Sequence, residues 1–305
     1  MGIVLVTGNT GFIGLSLAMK LKFYGYKVIG FSSSSNNSDT NCIHVQGNLD
    51  DNEIIEQLMQ KYKPEIVIHL AGNRDRISCE IGAYRKSINN NLLGTLNLIE
   101  ACLGNSRLER FIYLGSCEEY GVGDSPYKEN QRELPISPYS YSKVASTHLL
   151  QTLFRAHDLP CTILRPSLVY GPGQNTDMFL PALIISLLNN KPFPMSGGEQ
   201  TRDYIYIDDL VDTCISAVTA NNIFGEIINI ASGCDISLKE IAILTAKKVG
   251  YGNENLIKFG DMSYRKNDIM KYNVDTSSAI KLLKFHPKMS LENGIEKTVN
   301  SYRNA

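Results

Sequence analysis

Thr7-Gly8-Asn9-Thr10-Gly11-Phe12-Ile13-Gly14 follows the short β-branched run Ile3–Thr7 and opens a helical pattern over residues 14–23. Glycines three apart at a strand-to-helix turn let the backbone approach a pyrophosphate, and the first amides of the helix then receive its charge. Working outward, apolar runs at residues 27–31, 66–70, 111–115 and 161–165 alternate with helical periodicity at Asn52–Tyr62 and at residues 87–103 and 141–157. This alternation predicts an α/β protein, a Rossmann-type doubly wound parallel sheet buried on both faces. After residue 171 the pattern loosens. Glycine- and proline-bearing loops (171–174 and 192–198) separate later helices at 208–220 and Leu238–Val249. The expected division is a dinucleotide-binding unit over residues 1–170, carrying the catalytic residues, and a smaller C-terminal substrate lobe over 171–305, with the chain crossing between them.

The 305 residues, 43% hydrophobic and 20% charged with a net charge of −1, offer a sizeable core but no basic field for nucleic acid or acidic lipid. Cys42, Cys79, Cys102, Cys117, Cys161, Cys214 and Cys234 are scattered, odd in number and free of metal-ligand spacing. They suit a reducing compartment, so the expectation is a cytoplasmic protein without a metal, membrane span or export signal. The serine- and asparagine-rich residues 32–38 read as a loop after the second strand.

The spacing GxxGxxG, rather than GxGxxG, resembles the extended short-chain dehydrogenases/reductases of the epimerase/dehydratase type. The resemblance runs from Ile3 to about Val299. It implies that Gly8, Gly11, Phe12, Ile13 and Gly14 line a nicotinamide dinucleotide. Asn48-Leu49 stands where the family sets an Asp-Leu pair against adenine. His69-Leu70-Ala71-Gly72 resembles the cofactor-lining segment after the fourth strand, and Asn91-Leu92-Leu93-Gly94-Thr95 matches an NxxGT helix motif. Pro166 and Leu168 fall on the stretch leading from the sixth strand towards substrate and nicotinamide, where Leu168 replaces a frequent asparagine. NAD-specific relatives end the second strand with a carboxylate, whereas this chain has Ser32. Ser32 and Ser33 can donate to a 2′-phosphate, though no arginine stands beside them, so the expected cofactor is NADP, with NAD as the alternative.

Tyr139 is the one of sixteen tyrosines followed four residues later by a lysine, Lys143, and that spacing sets both on one helix face. Free tyrosine titrates near a pKa of about 10, and a neighbouring ammonium lowers it into a range useful for proton exchange with a sugar hydroxyl or carbonyl. Leu114-Gly115-Ser116-Cys117-Glu118-Glu119-Tyr120-Gly121 ends the fifth strand, where open α/β sheets bind ligands. Ser116 is therefore expected to hold the reacting oxygen beside Tyr139 and Lys143.

Further similarity narrows the class. Arg165 to Gln174, the RDY-hydrophobic-D segment starting at Arg202, and Arg265 followed by Asp268 resemble nucleotide-sugar members of the family. This implies that Arg202 and Arg265 bind a nucleotide pyrophosphate and that Glu118 contacts substrate. At Cys117-Glu118 the 4,6-dehydratases of this family commonly carry Asp-Glu or Ser-Glu, so Glu118 leaves dehydration open. Cys117 cannot replace an acid that protonates the leaving hydroxyl, however, and GSCEEYG looks closer to 4-keto-6-deoxysugar reductases. The expected activity is NADPH-dependent reduction of a nucleotide-linked 4-keto sugar. The alternatives are a 4-epimerase or 4,6-dehydratase that retains its cofactor, and a dinucleotide-binding protein without activity. A homodimer through the helices at 87–103 and 141–157 is also implied.

Overall fold

The glycine-bearing segment leaves the C-terminal end of a strand inside a seven-stranded parallel sheet. A computed structural model describes residues 2–35, 42–74, 78, 80–250, 252–265 and 267–303. The sheet takes β1 (Ile3–Thr7), β2 (Lys27–Ser32), β3 (Ile43–Gln46), β4 (Ile66–His69), β5 (Arg110–Leu114), β6 (Cys161–Pro166) and β10 (Ile227–Ile230). Their spatial order is β10-β6-β5-β4-β1-β2-β3. The chain moves outward through β2 and β3, then returns to the other side of β1 with β4. That reversal opens a crevice beyond the C-terminal ends of β1 and β4, where dinucleotides bind in such sheets.

Alternation along the strands builds a core on each face. Val4 and Val6 of β1 join one apolar cluster with Leu17 and Leu21 of α1 (Phe12–Phe23). Leu5 faces the other, with Leu58 of α2 (Asn52–Tyr62), Leu98 and Ile99 of α4 (Gly94–Leu103), and Leu150 of α5 (Pro138–His157). A parallel sheet covered this way reads as continuous apolar runs, which is why β1, β2, β4, β5 and β6 were visible in the sequence.

Two boundaries differ informatively from the sequence reading. The helix expected over 87–103 is three pieces: α3 (Ile81–Ser87), a π-helical turn (Ile88–Leu93) and α4. The helix expected from 141 starts at Pro138, because Ser137 caps it, its hydroxyl accepting from the Ser140 amide at 3.0 Å, and proline suits the first helical position.

The remaining strands form two small sheets, β11-β9-β7 and β12-β8, from β7 (Leu168–Tyr170), β8 (Phe193–Met195), β9 (Thr201–Tyr206), β11 (Asp235–Ser237) and β12 (Ile257–Phe259). β8 lies inside the segment expected to be a loop over 192–198. The later helices are α6 (Phe179–Leu188), α7 (Ile207–Thr219), α8 (Leu238–Val249), α9 (Ser277–Leu283) and α10 (Leu291–Arg303). Leu210 and Val211 of α7 belong to the same cluster as α1, and β10 extends the large sheet beside β6, so residues beyond 171 contribute to the body that carries the glycine loop. Among the described residues no helix is long and apolar enough to cross a membrane, and no cluster of side chains could hold a metal ion.

Candidate active site

Gly8 has φ +70°, a left-handed conformation that glycine adopts without strain, and a Cβ there would meet the Ala71 amide nitrogen at 3.0 Å. Gly14 lies against the same turn: a Cβ would sit 2.7 Å from Asn9 Cα and overlap the Gly8 carbonyl oxygen. Gly11 is exposed, and a Cβ on it would meet only the Gly8 oxygen, at 3.3 Å. The turn is thus closed on its inner side and bare on its outer side, with the first amides of α1, from Phe12 and Ile13, at its rim. This cradle fits a pyrophosphate, and the side-chain oxygen of buried Asn9 has no hydrogen-bond partner in the protein.

The neighbouring strand ends support that cradle. Thr7 Oγ1 accepts from the amides of Leu70 and Ala71, both at 3.2 Å, and hydrogen-bonds His69 Nδ1 at 2.6 Å. His69 Nε2 reaches Thr95 Oγ1 at 2.9 Å, and burial, followed by the charge of Lys143, pushes the imidazole down to about 3, so His69 is neutral. Asn91 is buried in the π-helical turn and spans two segments. Its Oδ1 accepts from the Asn73 amide at 2.6 Å and its Nδ2 donates to Ser142 Oγ at 2.8 Å. Gly72 is exposed beside it. Leu49 packs against Gly94, where a Cβ would lie 2.7 Å from the leucine Cβ, and Asn48 is exposed. At the end of β2, Ser32 accepts from Thr10 Oγ1 at 3.0 Å and donates to the Ser34 carbonyl at 3.1 Å, while Ser33 is exposed.

Ser116, Tyr139 and Lys143 are all buried at the C-terminal end of β5. Lys143 Nζ donates to the Leu114 carbonyl oxygen at 2.7 Å and lies 4.5 Å from the Tyr113 ring centre and 5.9 Å from that of Tyr139. Burial lowers its pKa to about 8, against an opposing pull from the Glu119 carboxylate. The α5 backbone brings tyrosine and lysine together, as their spacing required. Ser116 caps a short 3-10 turn (Cys117–Glu119), its hydroxyl accepting from the Glu118 amide at 3.2 Å. Glu118 is half-buried on that turn. Cys117 points elsewhere, into an apolar cluster with Tyr120, Tyr127 and Tyr272. Pro166 ends β6, and half-buried Leu168 starts β7.

The two arginines assigned to pyrophosphate differ in setting. Arg202 is anchored, its Nη1 donating to the carbonyls of Thr201 (2.7 Å) and Ile269 (2.6 Å) and its Nη2 pairing with Asp268 Oδ1 at 2.7 Å. Arg265 is exposed, and its carbonyl accepts from the Asp268 amide at 3.0 Å. Asp268 also lines a cavity of about 450 Å³ with Val122, Gly123 and Ile136.

Sequence reasoning missed the buried charges beneath the site. Glu119, Arg165 and Glu133 form a connected set, with Arg165 Nη2 at 2.7 Å from both Glu119 Oε2 and Glu133 Oε1. Burial raises the Glu133 pKa, but the hydrogen bond and charge of Arg165 hold it below the usual carboxylate range. Asp203 is part of the RDY segment, but its partners were not legible there. It accepts from Ser167 Oγ (3.0 Å) and from the amides of Ser232 (2.8 Å) and Gly233 (2.7 Å), tying β9 to the segment after β10. Each set joins residues dozens of positions apart, which local spacing does not reveal.

A profile of the NAD dependent epimerase/dehydratase family matches residues 4–231. A dTDP-D-glucose 4,6-dehydratase of Dictyostelium discoideum is 34% identical over 78% of this chain, which spans 60% of that relative's length. A dTDP-glucose 4,6-dehydratase of Haemophilus influenzae is 28% identical, over 98% of this chain and 97% of its own length. The solved structure of a Thermotoga maritima UDP-glucose 4-epimerase, bound to UDP-glucose, superposes with a TM-score of 0.90 at 29% identity, covering 99% of each chain. A Bacillus cereus UDP-glucuronic acid 4-epimerase, solved with UDP-glucuronic acid and NAD, gives 0.89 at 28% identity over the same coverage of both chains. With a cradle shaped for a dinucleotide and a tyrosine–lysine pair beside it, the chain belongs to the NAD dependent epimerase/dehydratase family, the nucleotide-sugar branch of the extended short-chain dehydrogenases/reductases.

Proposed function

We propose that the protein is a nucleotide-sugar 4-epimerase that retains NAD through the catalytic cycle. The carrying observation is the buried Tyr139–Lys143 pair beside Ser116, combined with a thiol at position 117 turned into a tyrosine cluster. Bound NAD would supply the hydride acceptor and donor. The Lys143 ammonium favours the Tyr139 phenolate, which takes the proton of the C4 hydroxyl and later returns it. Ser116 holds the same oxygen. Arg202 and Arg265 are assigned to the nucleotide pyrophosphate and Glu118 to a sugar hydroxyl.

The 4-ketoreductase expectation has less support, because the dehydratase and epimerase relatives favour its retained-cofactor alternatives. Dehydration is the second reading, favoured by Glu118 on the turn beside Ser116. It lacks the acid that would protonate a leaving hydroxyl, since Cys117 stands there. NAD is preferred over NADP on charge: no lysine or arginine occurs between Lys27 and Lys61, while Asp39, Asp50 and Asp51 do. Ser32 also spends its proton on Ser34. A homodimer is assigned to the surface where Ile81, Leu93, Leu103 and Tyr141 are exposed on α3, the π-helical turn, α4 and α5, with light scattering as its check.

The test incubates the protein with catalytic NAD and a panel of UDP- and dTDP-linked hexoses, reading products by NMR and mass. A 4-epimer of unchanged mass supports the proposal. Loss of one water moves the assignment to dehydration, and stoichiometric oxidation of NADPH with a 4-keto sugar restores reduction.

A further inference from the structure

We propose that Glu119 is a positioning residue of the reaction centre, its carboxylate fixing Ser116 from below and supporting the ammonium of Lys143. The inference deepens the proposed function and rests on Ser116, Tyr139 and Lys143 being its catalytic residues. Glu119 has no exposed surface. Its Oε1 accepts from the Ser116 backbone amide at 2.9 Å, and its Oε2 accepts from Thr147 Oγ1 and Arg165 Nε, both at 2.8 Å. One carboxylate therefore joins the turn after β5, the helix α5 and the strand β6. Thr147 lies one turn beyond Lys143 on the same face of α5, so the bond fixes that helix against Ser116.

Gly115 makes the arrangement possible, because a Cβ at that position would overlap Glu119 Oε1. Gly115 and Glu119 of the GSCEEYG run thereby act as one device. Charge balance points the same way. Glu119 and Glu133 against Arg165 leave one negative charge in the buried set, and the Lys143 ammonium neutralises it. The Arg165 guanidinium is held over the Tyr120 ring at 4.7 Å, and Glu133 faces His148 at 3.3 Å on its outer side. Among the described residues, the other titratable groups around Lys143 are Tyr113 of β5, Tyr139 of α5 and neutral His69 of β4. Glu119 is the anion opposing the burial of Lys143.

The experiment compares Glu119→Gln and Thr147→Val with the wild-type protein. Turnover is measured across pH, and the Lys143 ammonium is titrated by NMR in ¹⁵N-lysine-labelled protein, assigned with Lys143→Met. For Glu119→Gln the expected result is kcat lower by about 100-fold with KM little changed. The alkaline limb and the Lys143 midpoint should both fall by about one pH unit. Thr147→Val keeps the charge, so kcat should fall without movement of either midpoint. A folded Glu119→Gln protein with wild-type kcat and an unmoved Lys143 titration would overturn the proposal. If Glu119→Gln does not fold, Thr147→Val decides: wild-type kcat sinks the idea, and a loss confined to kcat upholds it. If the wild-type protein turns over no nucleotide sugar, the functional reading fails, and the Lys143 titration in the two variants still decides the role of Glu119.

Discussion

Lys143 Nζ donates to the carbonyl oxygen of Leu114 at 2.7 Å, so the helix that carries the amine is fastened to the end of the strand that precedes Ser116. The bond holds a cation away from water, and its pKa falls from 10.5 to about 8 through burial. In that window the unfolded chain keeps a proton that the folded chain has lost. Wild-type stability should therefore rise as pH climbs from about 8 towards 10.5, and the cost of burial is fully present below 8. Lys143→Met should be more stable than wild type by about 2 kcal/mol at pH 7, with the difference shrinking towards pH 10.5 and activity lost throughout. Urea unfolding at several pH values measures it.

His69 gives a slope of the same sign at the acid end. Its imidazole is held neutral down to about 3 by burial and then by Lys143, whereas the unfolded residue protonates near 6.5. Stability should fall as pH drops from 6.5 towards 3, by about 1.4 kcal/mol per unit from this group. His69→Gln should flatten that dependence, whatever its effect on absolute stability. Parallel denaturation series at pH 6.5, 5.5 and 4.5 provide the comparison.

The glycine turn separates folding from cofactor binding. Gly14→Ala forces a methyl into the Gly8 and Asn9 backbone and should cost about 2 kcal/mol of stability together with NAD affinity. Gly11→Ala meets only the Gly8 oxygen, at 3.3 Å, and should leave the melting temperature nearly unchanged while weakening NAD by about tenfold or more. Calorimetric titration and thermal melts on the same samples distinguish the two.

Cofactor choice can be read at the end of β2. Ser32→Asp adds a carboxylate where the ribose hydroxyls are expected, and the NAD-to-NADP affinity ratio should rise by about tenfold. An unchanged ratio would remove Ser32 from the ribose site.

Arg202 and Arg265 should both act on substrate affinity, with different structural consequences. Arg202→Ala breaks the pair with Asp268 and the bonds to Thr201 and Ile269, so it should raise KM and lower the melting temperature. Exposed Arg265→Ala should raise KM by about tenfold with the melting temperature held. Steady-state kinetics with the active nucleotide sugar, alongside melts, checks both.

β1, β2, β4, β5 and β6 were legible because each is a short apolar run, and residues 3–7 match the observed β1. The glycine turn and the Tyr139–Lys143 pair were legible because their geometry is local: three residues to a turn contact, four to a helix face. The π-helical turn was not, since it depends on Asn91 bonding to the Asn73 loop and to Ser142 on another helix. β10 was overlooked as four residues among irregular sequence, although Ile227, Ile228 and Ile230 carry the β-branched signal. Glu119 and Arg165 were invisible as partners because 46 positions separate them and only the fold brings β6 alongside the turn after β5. Ser137 followed by Pro138 is the sequence sign of the start of α5, three residues before the apolar periodicity begins.

The π-helical turn from Ile88 to Leu93 holds one residue more per turn than the α-helices on either side. Removing a single residue from it would let one regular helix run from α3 through α4 with the phase of the two nearly kept, because the wider turn absorbs the rotation of the extra residue. Asn91, which sits within the widened turn, could then no longer face both Asn73 and Ser142, while the exposed side chains of α3 would keep their direction. The extra residue is therefore a local control on the cofactor crevice, and a family member lacking it should differ there while its outer surface keeps the same faces.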